Sequence, residues 1–145
     1  MWIEIPNTAE NFPYKIVSIL GHFGCQRSIE TVDTKFEDII TQENCIIVTN
    51  VKRAKASVNE MGTFAIMDDS ARNVIMLYID LFPTERKNGR LLNKLRGDYA
   101  PLNQVFGKNT MHQYGKKIAE LLNLNDPERY TSHCYRRSAA SQLAE

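Results

Sequence analysis

Four basic side chains in this sequence have the types and settings that handling a phosphate requires. His133 and Arg136 stand three apart in Tyr130-Thr131-Ser132-His133-Cys134-Tyr135-Arg136-Arg137-Ser138, where a helix is expected to start, so both project to one side. A helix start also presents unpaired N–H groups and the positive end of the helix dipole, which favours an anion. An imidazole and a guanidinium beside it form a phosphate clamp, since arginine offers a planar fork of donors to two oxygens. Arg27 follows a Gly-flanked turn in Gly21-His22-Phe23-Gly24-Cys25-Gln26-Arg27, and Lys55 lies in the polar run Arg53-Ala54-Lys55-Ala56. Phosphoryl transfer rests on positioning and charge stabilisation, and two arginines, a lysine and a histidine are a suitable set for it. Taken singly, each is as well explained as a helix cap, a surface arginine or an exposed loop lysine. Order and context distinguish the set.

The elements that must position these residues follow from periodicity. Segment 12–23 carries Ile16, Val17, Ile19, Leu20 and Phe23 at helical spacing, with Pro13 suited to a first turn. Gly21 and Gly24 loosen its end and permit a close backbone approach. A short helical turn is expected over Ser28 to Val32, broken at Asp33-Thr34. Residues 45–49 and 63–67 read as two antiparallel strands joined by a long polar connection, with Phe36 to Ile39 as an edge strand. Asp69 or Ser70 would cap a helix running to Leu81, and Pro83 would end it. Residues 83–109 read as a long connection with little regular structure, a kind uncommon unless it carries function. A helix capped by Thr110 would then run to Leu122, with Ile118, Leu121 and Leu122 on its apolar side, and a last helix would start near Thr131. The expected fold is mainly α with a small antiparallel β-sheet, an α+β arrangement in one domain over residues 1–145.

Bulk composition bounds the function without choosing it. At 145 residues, with 43% hydrophobic and 24% charged residues, the chain suits one soluble domain with a real core. No apolar run is long enough to span a membrane, and the start, with Glu4 and Glu10, does not read as a signal peptide. Cys25, Cys45 and Cys134 lack metal-ligand spacing and read as buried, reduced thiols of an intracellular protein. The net charge of +1 is mildly unfavourable for a nucleic-acid binder. Basic residues nevertheless gather at Lys52-Arg53-Ala54-Lys55, within Arg86 to Arg96, and at Arg136-Arg137.

The ordered set resembles the catalytic domain of the tyrosine recombinase (phage integrase) superfamily, and looks closest to its crypton-like eukaryotic branch. In that family a Gly-rich helix end leads to an arginine and, three residues on, an acid, as Arg27 and Glu30 do. The family lysine sits in a β-hairpin turn, as Lys55 is expected to, and H-x-x-R opens a helix, as His133 and Arg136 would. The likeness runs from Pro13 to Glu145. It implies that Arg27 and Arg136 hold the non-bridging oxygens of a phosphate in double-stranded DNA. Lys55 would be the general acid toward the leaving 5′-hydroxyl, and His133 an acid or base near neutral pH. Glu30 would orient the site, and Lys52, Arg53 and Arg137 would add DNA contacts. No metal or other cofactor is implied, because the phosphodiester energy is kept in a covalent protein–DNA bond.

The family pattern continues with a further His or Trp and a nucleophilic Tyr beyond the second box, whereas this sequence ends at Glu145. None of Tyr14, Tyr78, Tyr99, Tyr114, Tyr130 or Tyr135 stands at that place, and Tyr14 and Tyr135 read as packing residues. The expectation is a partial catalytic domain for DNA recombination and integration, inactive alone. The alternative is a domesticated remnant that binds DNA or protein in chromatin or transcription. Intact relatives form tetramers on DNA. A monomer without DNA, located in the nucleus and with no membrane partner, is expected here.

Overall fold

In the computed structural model, residues 5–24, 28–51, 62–87 and 89–130 are described. Helix α1 (Phe12–Gly24) begins with Pro13 in its first turn and buries Ile16, Val17, Ile19 and Leu20. Thr8 caps its approach, accepting the Asn11 N–H on its hydroxyl at 3.2 Å. Lys15 is also buried on this helix. Its ammonium donates to the Ile5 carbonyl at 2.8 Å and to the Asn7 side-chain oxygen, which ties residues 5–7 onto α1. Burial, which disfavours the charged form, lowers the Lys15 pKa.

Helix α2 (Ser28–Asp33) follows and packs on α1. Phe36 does not open a strand as its sequence suggests. It sits in a 3-10 turn (Phe36–Asp38), and the edge strand β1 is Ile39–Thr41. Phe36 is buried there against Phe82, ring centroids 4.9 Å apart, and an extended backbone would give up that contact. Strands β2 (Ile46–Val51) and β3 (Gly62–Ile66) complete a three-stranded antiparallel sheet in the order β1-β2-β3. Ile46, Val48 and Ile66 are its buried members. Cys45, at the entry to β2, is half-buried rather than part of the core. Cys25 and Cys134 lie outside the described residues.

Asp68 is the cap of α3 (Asp69–Asp80), accepting the Ala71 N–H at 2.9 Å, one residue earlier than the sequence reading of Asp69 or Ser70. The helix stops at Leu81, before Pro83. Beyond it the sequence reading fails: residues 83–109 contain a 3-10 turn at Thr84–Arg86 and a hairpin of β4 (Asn93–Leu95) and β5 (Pro101–Val105). Tertiary contacts hold this stretch. The buried Tyr78 hydroxyl donates to the Leu91 carbonyl at 2.6 Å and accepts the Asn93 N–H at 3.0 Å. Arg86 donates to the Pro101 and Leu102 carbonyls.

Helix α4 (Lys108–Leu121) starts at a Gly107 cap, so Thr110 lies inside its first turn instead of capping it. It buries Met111, Tyr114, Ile118 and Ala119. Asn123, at φ 57°, turns the chain left-handed at its end, and the Leu124 N–H reaches back to the Ala119 carbonyl at 2.9 Å. α1, the sheet, α3, the hairpin and α4 share one apolar core. The expected class, mainly α with small antiparallel β structure, is the one observed. The expected last helix from Thr131 lies outside the described residues. Among the described residues no helix is long and apolar enough to cross a membrane.

Candidate nucleic-acid site

Arg27, Lys55, His133 and Arg136 lie outside the described residues, as do Lys52, Arg53 and Arg137. What the structure gives is the frame from which their segments depart. The segment with Arg27 leaves α1 at Gly24 and ends where α2 begins. The segment with Lys55 leaves the sheet after Val51 and rejoins it at Gly62, and these two residues are register partners. The segment with His133 and Arg136 follows Tyr130, just past a 3-10 turn (Pro127–Arg129) that packs on α4.

These supports touch one another. A Cβ added at Gly24 would lie 2.4 Å from two ring carbons of Phe64, so the end of α1 meets β3 two residues after Gly62. The supports of the Arg27 and Lys55 segments are therefore in direct contact. Helix α2 packs on α4, which links the first segment to the element preceding the third. Three stretches far apart in sequence thus depart from one connected set of elements.

Glu30 is the one sequence-predicted site residue within the described structure. It is 8% exposed, in the first turn of α2, beside buried Thr31 and Thr34. The Thr34 hydroxyl donates to the Glu30 carbonyl at 2.9 Å, which closes the end of this short helix. A buried carboxylate is costly unless hydrogen-bonded or paired, so its place on α2 is a demanding one. His22, in the last turn of α1, was not singled out from the sequence. Burial lowers its pKa, while the Asp68 carboxylate acts in the opposite direction, so it senses both the α1 end and the α3 cap.

The three arginines of the basic stretch from Arg86 to Arg96 serve the fold. Arg86 binds carbonyls of β5, Arg90 lies 3.6 Å from Asp33, and Arg96 holds Asp98 at 2.6 Å. That last contact is a two-pronged hydrogen bond that lowers the Asp98 pKa to about 2. The tyrosines are largely absorbed too: Tyr78 and Tyr114 are buried, and the Tyr99 hydroxyl donates to the Asn7 carbonyl at 2.9 Å. Tyr14 stands edge-on to Phe106, ring centroids 5.0 Å apart, about 15 Å along α1 from Gly24 at 1.5 Å per residue. Among the described residues no group of three or more His, Cys, Asp or Glu is placed to hold a metal ion.

No family model matches this chain, and no curated protein matches it in sequence. Solved structures do match in fold. The XerH site-specific recombinase bound to difH substrate, in a pre-cleavage complex, superposes with a TM-score of 0.65 at 14% identity over 98% of this chain. Its post-cleavage complex with palindromic difH substrate gives 0.64 at 15% identity. The XerA recombinase gives 0.61 at 16% identity over 92% of the chain. This chain spans 38% of the XerH chain and 43% of the XerA chain. The fold described above is therefore shared with the XerH and XerA recombinases.

Proposed function

We propose that the chain is a DNA-binding domain of the tyrosine-recombinase type, associated with DNA recombination and integration, and that alone it holds a DNA phosphate without cutting it. One observation carries the reading. The elements from which the Arg27, Lys55 and His133–Arg136 segments depart form one connected set, β3 on α1, α1 on α2 and α2 on α4, within a fold also found in recombinases captured with their substrate before and after cleavage. In this proposal Arg27 and Arg136 grip the non-bridging phosphate oxygens, Lys55 protonates the leaving oxygen and His133 assists, while Glu30 orients the cage from α2. Lys52, Arg53 and Arg137 add contacts to flanking phosphates. Strand cleavage further requires a nucleophile; among the described tyrosines, the Tyr78 and Tyr99 hydroxyls donate to backbone carbonyls, and Tyr14 is at the far end of α1 from Gly24.

The finer parts of the proposal rest on sequence. The Tyr130 to Ser138 run supports placement in the crypton-like branch, and with it a nuclear site of action. The chain is a monomer without DNA in this reading, and sedimentation at micromolar concentration checks that. A remnant retained as a DNA- or protein-binding module is the second reading, favoured by the structural roles of Tyr78, Tyr99 and Tyr114.

Fluorescence anisotropy with a labelled duplex tests the leading reading. Affinity should fall steeply with salt, with a log–log slope of about −0.9 per phosphate neutralised. The double variant Arg27→Ala, Arg136→Ala should bind more weakly and with a slope shallower by about 1–2. Absence of binding at low salt, or indifference to both substitutions, would remove the proposal.

A further inference from the structure

At the end of α1 opposite Gly24, two adjoining cavities of about 490 and 420 Å³ share Glu10, Tyr14 and Gln113. Together they form a groove between α1, the β4–β5 hairpin and the outer face of α4. Half-buried Leu102, with the buried side chains of Leu95 and Phe106 beneath it, forms its apolar floor. Tyr14, Lys94, Thr110 and Gln113 line it; among the described residues the side chains of Lys94, Thr110 and Gln113 have no polar partner, and the Tyr14 hydroxyl lies in the field of Lys117 and Glu10. Unused donors converging on an apolar concavity are the usual mark of a binding site.

The charges specify what would fit. Lys117 is paired with Glu10 at 2.9 Å and Lys116 lies 4.0 Å from Glu120, so the Lys94 ammonium is the uncompensated charge of the groove among the described residues. Burial raises the pKa of Tyr14, against the pull of Lys117 and with the help of Glu10, so its phenol stays a hydrogen-bond donor. An anionic acceptor on an apolar body meets both demands. Length decides between a small acid and a stretch of chain. The groove follows α4 from Thr110 to Glu120, about 15 Å at 1.5 Å per residue, which a small acid would not fill.

We propose that this groove docks a segment of a partner protein that presents apolar side chains next to carboxylates. The floor topped by Leu102 takes the apolar side chains, and Lys94 with the Tyr14 hydroxyl takes a carboxylate. The proposal uses none of the residues of the proposed DNA site and stands or falls without them.

The test uses the full chain and three probes: a labelled helical peptide with leucines and glutamates on one face, the same peptide with lysines replacing the glutamates, and phenylacetate. The glutamate peptide should bind saturably and the lysine peptide should not. Lys94→Glu, at an exposed position, should weaken the glutamate peptide by roughly five-fold or more, as reversal of a rim charge does. Tyr14→Phe, which removes only the hydroxyl, should weaken it by about two- to ten-fold, the worth of one hydrogen bond. DNA affinity should be unchanged in both variants. Failure of the glutamate peptide to bind, equal binding of the lysine peptide, or indifference to Lys94→Glu would overturn the proposal. Phenylacetate binding where the peptide does not would overturn it in favour of a small-acid pocket.

Discussion

Gly24→Ala is the substitution that most directly tests how the candidate site is held together. An alanine Cβ there would stand 2.4 Å from two carbons of the Phe64 ring and 2.9 Å from a third. Carbon atoms pack best at about 3.5–4.0 Å, so the ring or the end of α1 must retreat by roughly 1 Å. Overpacking of this kind costs about 1–3 kcal/mol. The helix preference of alanine over glycine offsets at most about 1 kcal/mol, and less at a last helical residue. The net loss is about 1–2 kcal/mol, or roughly 2–8 °C in melting temperature at 2–4 °C per kcal/mol. Thermal unfolding followed by circular dichroism measures it, and a cycle with Phe64→Leu isolates the clash. The leucine should cost stability in the parent chain and restore it in the Gly24→Ala background, giving a coupling of about 1 kcal/mol or more. DNA affinity, measured well below the melting temperature, should fall in Gly24→Ala and recover in the double variant. A neutral or stabilising Gly24→Ala, or additivity within about 0.5 kcal/mol, would refute the close approach on which the site's assembly rests.

Other outcomes follow from the same structure. Tyr78→Phe removes a buried hydroxyl that serves the Leu91 carbonyl and the Asn93 N–H, and should cost about 1–3 kcal/mol for the groups left unpaired. Hydrogen exchange in that variant should rise first around residues 91–95. Asp98 has its pKa lowered to about 2 from 3.8, chiefly by the hydrogen bond from Arg96. Its folded-state pKa is depressed, so its contribution is complete above pH 3.8 and is lost as pH falls toward about 2. Asp98→Asn should flatten the acid unfolding profile over that window, and an unchanged profile would show that the pair does not persist in solution.

Long periodic segments were legible because their own residues specify them. The apolar faces of α1 and α3 repeat at helical spacing, Cys45 to Thr49 is a β-branched run, and Thr63 to Met67 reads as a second strand. The boundaries were less legible. Asp68 rather than Asp69 caps α3, and Gly107 rather than Thr110 starts α4, because several adjacent residues can serve as a cap and packing selects one. The β4–β5 hairpin was missed because strands of three and five residues, one opening on a proline, carry almost no periodic signal. Its backbone is instead fixed by Tyr78 and Arg86, which come from elsewhere in the chain.

The proposed phosphate-handling set divides in the same way. Sequence alone supplied the candidates by side-chain type and order: Arg27 with Glu30, Lys55 after β2, and His133 with Arg136. Tertiary structure decided that Glu30 is buried on α2, that Gly24 meets Phe64, and that α2 rests on α4. It also decided that the arginines between 86 and 96 serve the fold. Side-chain type is local information, whereas a contact between Gly24 and Phe64 depends on how every intervening element packs. The spacing of residues along the chain does not carry that.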